Sequence, residues 1–150
     1  MDKRIYELYE KYKAGIYRYI LSITHDRQLS EDVLQDTFLQ LLKNGICFEP
    51  GKEQAWLYKV ARNKCFNLLK RQQRQTKIQA PLQVQTTPSW EYLEMIASLA
   101  TTEQEIVTLK IVGGLSHREI ARIIGLSVPA TKKRYERAIQ RLRKEMEGFL

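Results

Sequence analysis

The chain has 150 residues, 43% of them apolar, enough for a packed core and too many for general disorder. It carries 25 basic against 17 acidic side chains, a formal net charge of +8, which suits a partner bearing phosphates. No uncharged stretch reaches membrane-spanning length, and two cysteines, Cys47 and Cys65, make no disulfide framework. The opening stretch Met1-Asp2-Lys3-Arg4-Ile5-Tyr6-Glu7 holds no apolar signal core, so a cytoplasmic protein without membrane insertion is expected.

In chain order, Ile5, Tyr9, Tyr12, Ile16, Tyr19, Ile20 and Ile23 recur every three or four residues, as an amphipathic helix requires. A second helix is expected from Ser30 as N-cap, with Glu31 and Asp32 in its electropositive first turn. It continues through Val33, Leu34, Thr37, Phe38, Leu41 and Leu42 until Asn44-Gly45 stops it. A loop over 46–53 turns at Pro50-Gly51. The third helix runs from about Gln54 past Leu69, with Leu57, Val60, Ala61, Cys65 and Leu68 on one side. Its other side carries Lys59, Arg62, Asn63, Phe66 and Lys70.

Residues 76–89 hold two prolines and a run of Gln and Thr, which breaks the helical period and reads as a linker. Charge supports the division. Residues 59–77 carry 7 basic side chains and no acidic one, and residues 132–150 carry 7 basic against 3 acidic. The stretches before and between these blocks are close to neutral. No segment alternates as a strand. The expected fold class is all-α: two small helical domains, 1–75 and 90–150, joined by a flexible linker, the C-terminal one a helix-turn-helix.

In that second domain a helix over 102–113 is expected, with Ile106, Leu109 and Ile111 among its apolar positions. Next, Ser116 and Glu119 have capping-box spacing, and Gly125 suits a left-handed residue ending a short helix. Ser127 then caps a longer helix from Val128 to about Glu147. Helix, glycine turn and helix form the DNA-binding arrangement in which the second helix enters the major groove. That helix is expected to keep Val128, Tyr135, Ala138, Leu142 and Met146 inward. Pro129, Ala130, Lys132, Lys133, Glu136 and Arg137 then face water or a ligand.

Taken together, these segments resemble bacterial RNA polymerase sigma factors of the small extracytoplasmic-function (ECF) type. Leu29-Ser30-Glu31-Asp32-Val33-Leu34-Gln35-Asp36-Thr37-Phe38-Leu39 looks like the segment that binds the clamp helices of the polymerase beta-prime subunit. Ala55-Trp56-Leu57-Tyr58-Lys59-Val60-Ala61-Arg62-Asn63, closing in Leu69-Lys70-Arg71, is similar to the family's promoter-melting helix. The stretch opening at Leu115-Ser116 and running to Arg143 looks like the region that reads the minus-thirty-five element.

The resemblance implies roles residue by residue. Asp32, Gln35 and Asp36 would contact the clamp; the weaker reading is that Asp32 only complements the helix dipole. Asn63, with the loop around Phe48, would hold a base extruded from the non-template minus-ten strand. Arg62, Lys64, Lys70, Arg71 and Arg74 would follow its phosphates. Trp56 is expected to pack rather than to read DNA. Ser127, Pro129, Ala130, Lys132, Lys133, Arg134 and Arg137 would meet the minus-thirty-five groove. Implied partners are core RNA polymerase, through its beta-prime clamp and beta flap, promoter DNA, and an anti-sigma factor covering one or both basic faces.

Three features depart from the family pattern: the loop Ile46-Cys47-Phe48-Glu49-Pro50-Gly51, and Pro129-Ala130 and Thr131 where Gly-Thr-Val is frequent. An unusual promoter preference is expected, with Lys132, Lys133, Arg134 and Arg137 as the main contacts. No cofactor, metal site or catalytic constellation is expected, since His25 and His117 lie in different domains without ligand spacing to either cysteine. Cys65 falls on an apolar face and belongs in the core; a redox role for Cys47 is the weaker reading. The alternative from another class is a stand-alone helix-turn-helix regulator acting as a dimer on a palindrome. A membrane-surface role for the basic helix is weaker still, because its apolar side is needed for the core.

Overall fold

The computed structural model describes residues 3–45, 48–75 and 88–148, apart from the side chains of 74, 75 and 88–90. The described residues form seven helices and no strand. The chain divides into two compact units, Met1–Val84 and Gln85–Leu150. Of the expected linker, residues 76–87 lie outside the described residues, and Pro88 and Ser89 already open a helix.

The first unit is a three-helix bundle of α1 (Lys3–Thr24), α2 (Arg27–Asn44) and α3 (Glu53–Gln75). Its core joins Ile16, Tyr19, Ile20 and Leu21 of α1 to Val33, Phe38 and Leu41 of α2 and Leu57, Tyr58, Ala61 and Cys65 of α3. Edge-on aromatic pairs fix the register between helices. Tyr9 meets Phe38 at 5.0 Å and Tyr19 meets Tyr58 at 5.5 Å between ring centroids.

The start of α2 differs from the expectation. Asp26, not Ser30, is the N-cap: its Oδ1 accepts the Leu29 N–H at 3.1 Å. Ser30 is buried one turn inside, donating its hydroxyl to the Asp26 carbonyl and sharing a 2.7 Å bond with the Thr24 hydroxyl. His25 takes the left-handed conformation (φ 53°) that lets α1 end and α2 begin within two residues. Serine does compete for caps, but here its hydroxyl is consumed by a carbonyl and leaves no acceptor aimed at the amides.

The second unit comprises α4 (Pro88–Ile96), α5 (Thr101–Ile111), α6 (His117–Ile124) and α7 (Val128–Glu147). Helix α4 has no counterpart in the sequence reading. Pro88 suits a first turn, and Leu93, Ile96 and the following Leu99 are buried in this unit's core. The Tyr92 hydroxyl shares a 2.8 Å bond with the Thr108 hydroxyl, tying α4 to α5. Two residues expected inside lie largely outside: Val128 and Met146 are 42% and 59% exposed, and Ile111, an apolar position of α5, is 56% exposed. Each stands at or near a helix end, where the neighbouring helices cover it only in part. The inward seam of α7 is instead Thr131, Tyr135, Ala138 and Leu142, at spacings of four, three and four.

Candidate nucleic-acid interface

Helix α3 is two-sided. Leu57, Ala61 and Cys65 are fully buried, whereas Lys59, Asn63, Asn67, Lys70 and Arg71 are exposed and Arg62, Lys64 and Phe66 half-buried. Of the first unit's expected phosphate contacts, only the Arg74 side chain lies outside the described residues. Of these cations, Lys59, Arg62 and Lys70 fall along one edge of the 23-residue helix α3, at spacings of three and eight. An open groove of about 430 Å³ runs there, lined by Arg62, Asn63, Phe66, Asn67 and Lys70. The Arg62 guanidinium lies over the Phe66 ring, 4.6 Å from its centroid.

The loop before α3 is shaped by a turn in which Lys52 N–H bonds the Glu49 carbonyl at 3.0 Å. Pro50 and Gly51 (φ 86°) occupy its centre, the order a type II turn demands. Phe48 enters that turn half-buried, its ring 5.5 Å from the Trp56 ring. Trp56 therefore packs, as expected. Phe48 is not among the residues lining the groove that holds Asn63. Trp56 and Asn63 share a face of α3 two turns, roughly 10 Å, apart. Cys47 lies outside the described residues.

On α2, Asp32, Gln35 and Asp36 are exposed on one face, at i, i+3 and i+4. With the cap moved to Asp26, Asp32 stands in the second turn, where the helix dipole has faded. Its carboxylate is therefore not explained by the helix end. The same stripe continues into Leu39 and Leu42, 50% and 41% exposed, the second of which is among the helix's expected apolar positions. The missed signal was the i+3 and i+7 relation of Leu39 and Leu42 to Asp32, Gln35 and Asp36. A shallow hollow of about 200 Å³ brings Lys64 of α3 to Asp36, Leu39, Gln40 and Lys43. Lys64 thus belongs to this face rather than to the Asn63 groove.

In the second unit the helix-turn-helix forms as its caps dictate. The Ser116 hydroxyl accepts the Glu119 N–H at 3.2 Å, and Glu119 Oε1 accepts the Ser116 N–H at 3.2 Å, a reciprocal capping box. Gly125 closes α6 in the left-handed conformation (φ 84°), its N–H on the Ala121 carbonyl at 2.8 Å. The Ser127 hydroxyl accepts the Ala130 N–H at 3.2 Å and opens α7. Thr131 is fully buried and donates its hydroxyl to the Ser127 carbonyl at 2.9 Å, so a core position of α7 is filled by a satisfied hydroxyl.

Ser127, Pro129, Lys132, Lys133 and Arg137 are exposed, with Ala130 half-buried among them. Arg134 is also exposed, but its guanidinium bonds Glu103 of α5 at 3.2 Å. His117 packs edge-on against Tyr135, 5.2 Å between centroids, and joins the start of α6 to α7. Desolvation, aided by Lys110 and Lys132 and opposed by Glu136, holds the His117 imidazole below its ordinary pKa. Burial does the same to His25 in the first unit. No helix among the described residues is long and apolar enough to cross a membrane.

Two family models match the chain in order: Sigma-70 region 2 over residues 8–75 and Sigma-70, region 4 over residues 89–142. The ECF RNA polymerase sigma factor SigM of Bacillus subtilis is 28% identical over 149 residues, covering 91% of both chains. The ECF RNA polymerase sigma factor BldN of Streptomyces coelicolor is 29% identical over 151 residues, covering 90% of this chain and 57% of that protein. Among solved structures, the sigma factor RpoE of Bartonella quintana in complex with the anti-sigma factor NepR has a TM-score of 0.71 at 21% identity. It covers 94% of this chain and 97% of its own. CnrH in complex with the cytosolic domain of CnrY has a TM-score of 0.72 at 23% identity, covering 99% and 90%. At these identities the two structures speak for the fold alone.

Proposed function

The chain belongs to the sigma-70 family of RNA polymerase sigma factors, in its extracytoplasmic-function group, and from that membership we propose how its two units divide the work. As an alternative sigma factor it binds core RNA polymerase and directs promoter recognition, melting and initiation. The stand-alone regulator gives way to that membership.

The first unit holds the beta-prime clamp through Asp32, Gln35 and Asp36, with Leu39 and Leu42 adding an apolar end to the same stripe. What supports this is the exposure of that stripe and the loss of the dipole explanation for Asp32. The basic edge of α3 captures the melted minus-ten strand: Asn63 seats an extruded base, and Arg62, Lys70, Arg71 and Arg74 follow the phosphates. Because only the open strand binds there, capture shifts the duplex–open equilibrium without fuel. Phe48 stiffens the loop through Trp56 and reaches the base from that loop.

The second unit docks α7 in the minus-thirty-five groove. Ser127, Pro129 and Ala130 meet base edges at the helix start, and Lys132, Lys133 and Arg137 meet phosphates. The beta flap takes another face of this unit, and an anti-sigma factor covers a basic or polymerase-binding face. The protein has no catalytic activity of its own and acts in the cytoplasm beside the polymerase.

The observation that carries this reading is the pairing of a basic, groove-bearing α3 with a capped helix-turn-helix in one chain. Promoter-library transcription with purified core polymerase tests it. Starts that appear only with this chain, downstream of a shared two-part element, support it. Duplex binding without new starts overturns it.

A further inference from the structure

Phe66 is out of place by the logic of a soluble helix. The core seam of α3 is complete without it, in Leu57, Ala61 and Cys65, and the ring lies instead on the basic edge. There it has a cation one turn before it, Arg62, whose guanidinium covers the ring at 4.6 Å, and Lys70 one turn after. Asn63 and Asn67 flank it in the same groove of about 430 Å³, a size that accommodates a small ligand.

Each part has a use in binding a single strand. An aromatic ring stacks any base, cations take the adjoining phosphates, and amides satisfy base edges. We infer that Phe66 is a second base-stacking platform, taking an unstacked base next to the one held at Asn63; this rests on the strand-capture reading above. In the protein without DNA, Arg62 covers the ring and spares it contact with water. When a base arrives, it replaces the guanidinium on the ring, and Arg62 turns to the strand's phosphate. The exchange keeps a π-face contact throughout and converts a cation–π pair into a stack plus an ion pair. Strand sequence preference then extends to a second position, with weak selectivity because every base has a face to offer.

The test uses the full chain bound to core polymerase and short single strands carrying 2-aminopurine at successive positions. Stacking on Phe66 quenches the probe at one position. Phe66→Leu is expected to abolish that quenching and weaken strand binding about tenfold, while Phe66→Trp restores both. Asn63→Ala is measured in parallel. If Phe66→Leu binds and quenches like the parent while Asn63→Ala is weakened, the platform is overturned and strand capture stands. If neither variant changes binding, strand capture itself falls. If Phe66→Trp fails as Phe66→Leu does, the ring is only packing, and the platform is again overturned.

Discussion

The Arg134 guanidinium lies 3.2 Å from the Glu103 carboxylate, tying α7 to α5 across the second unit. Arg134 stands one turn from the inward residues Thr131 and Ala138, so it flanks the core side of α7 rather than its outer crest. The carboxylate competes with any phosphate for that guanidinium. Lys133 and Arg137, at i and i+4, are exposed on that crest.

Lys133→Ala and Arg137→Ala should therefore each flatten the salt dependence of promoter binding by about one unit of slope. Arg134→Ala should change that slope less and instead lower stability by at most about 1 kcal/mol, the ordinary worth of a partly exposed pair. Binding titrations across salt concentrations, with urea melts of the same variants, decide the matter. An equal slope change for Arg134→Ala would return it to the interface.

The turn of the helix-turn-helix rests on two local devices that can be removed one at a time. Gly125→Ala places a Cβ at φ 84°, with no neighbour within 4 Å, so its cost is conformational and about 1 kcal/mol. Ser127→Ala removes the acceptor of the Ala130 N–H and costs about 1 kcal/mol as well. Thr131→Val should stay within about 1 kcal/mol of the parent, since the Ser127 carbonyl keeps its 3.0 Å bond from the Thr131 N–H. Urea midpoints of the three variants give the ranking.

Asn63→Ala should leave polymerase binding intact and impair promoter opening. The side chain is exposed in the α3 groove, away from the α2 stripe, so its loss disturbs neither the bundle nor the clamp face. Permanganate footprinting of the melted region, beside a polymerase pull-down, separates the two. Normal opening would move the base seat toward Phe48.

The His117 imidazole gives stability a pH dependence with a definite sign. Desolvation, with Lys110 and Lys132, favours its neutral form, so the folded pKa lies below the unfolded value of 6.5. The unfolded chain therefore binds more protons in that interval. The stability contributed is present in full above about pH 6.5 and is lost as pH falls toward the depressed value. His117→Gln should flatten the fall in the urea midpoint between about pH 7 and pH 5. The slope left over belongs in part to His25, shifted in the same direction by burial.

The sequence by itself determined the local features. Caps at Ser116 and Ser127, the glycine turn at Gly125 and the apolar seam Leu57–Ala61–Cys65 are set by residue chemistry within a few positions, and each formed as read; the two basic blocks stand in the sequence itself. They sufficed for an all-helical chain with a helix-turn-helix and a phosphate-seeking surface. Tertiary structure decided what depends on which neighbours arrive. Ser30, expected as the N-cap of α2, is buried against Thr24 inside the helix, and Asp26 caps it instead. Val128, Met146, Ile111 and Leu42 fit the helical period, yet each is only partly covered, because periodicity gives the face of a helix and not how far its partners extend. Charge counts likewise treated Arg134 and Lys133 as equals. Only the placement of Glu103, 31 residues away in sequence, separates them, since an ion pair between helices depends on the packing that brings its partners together.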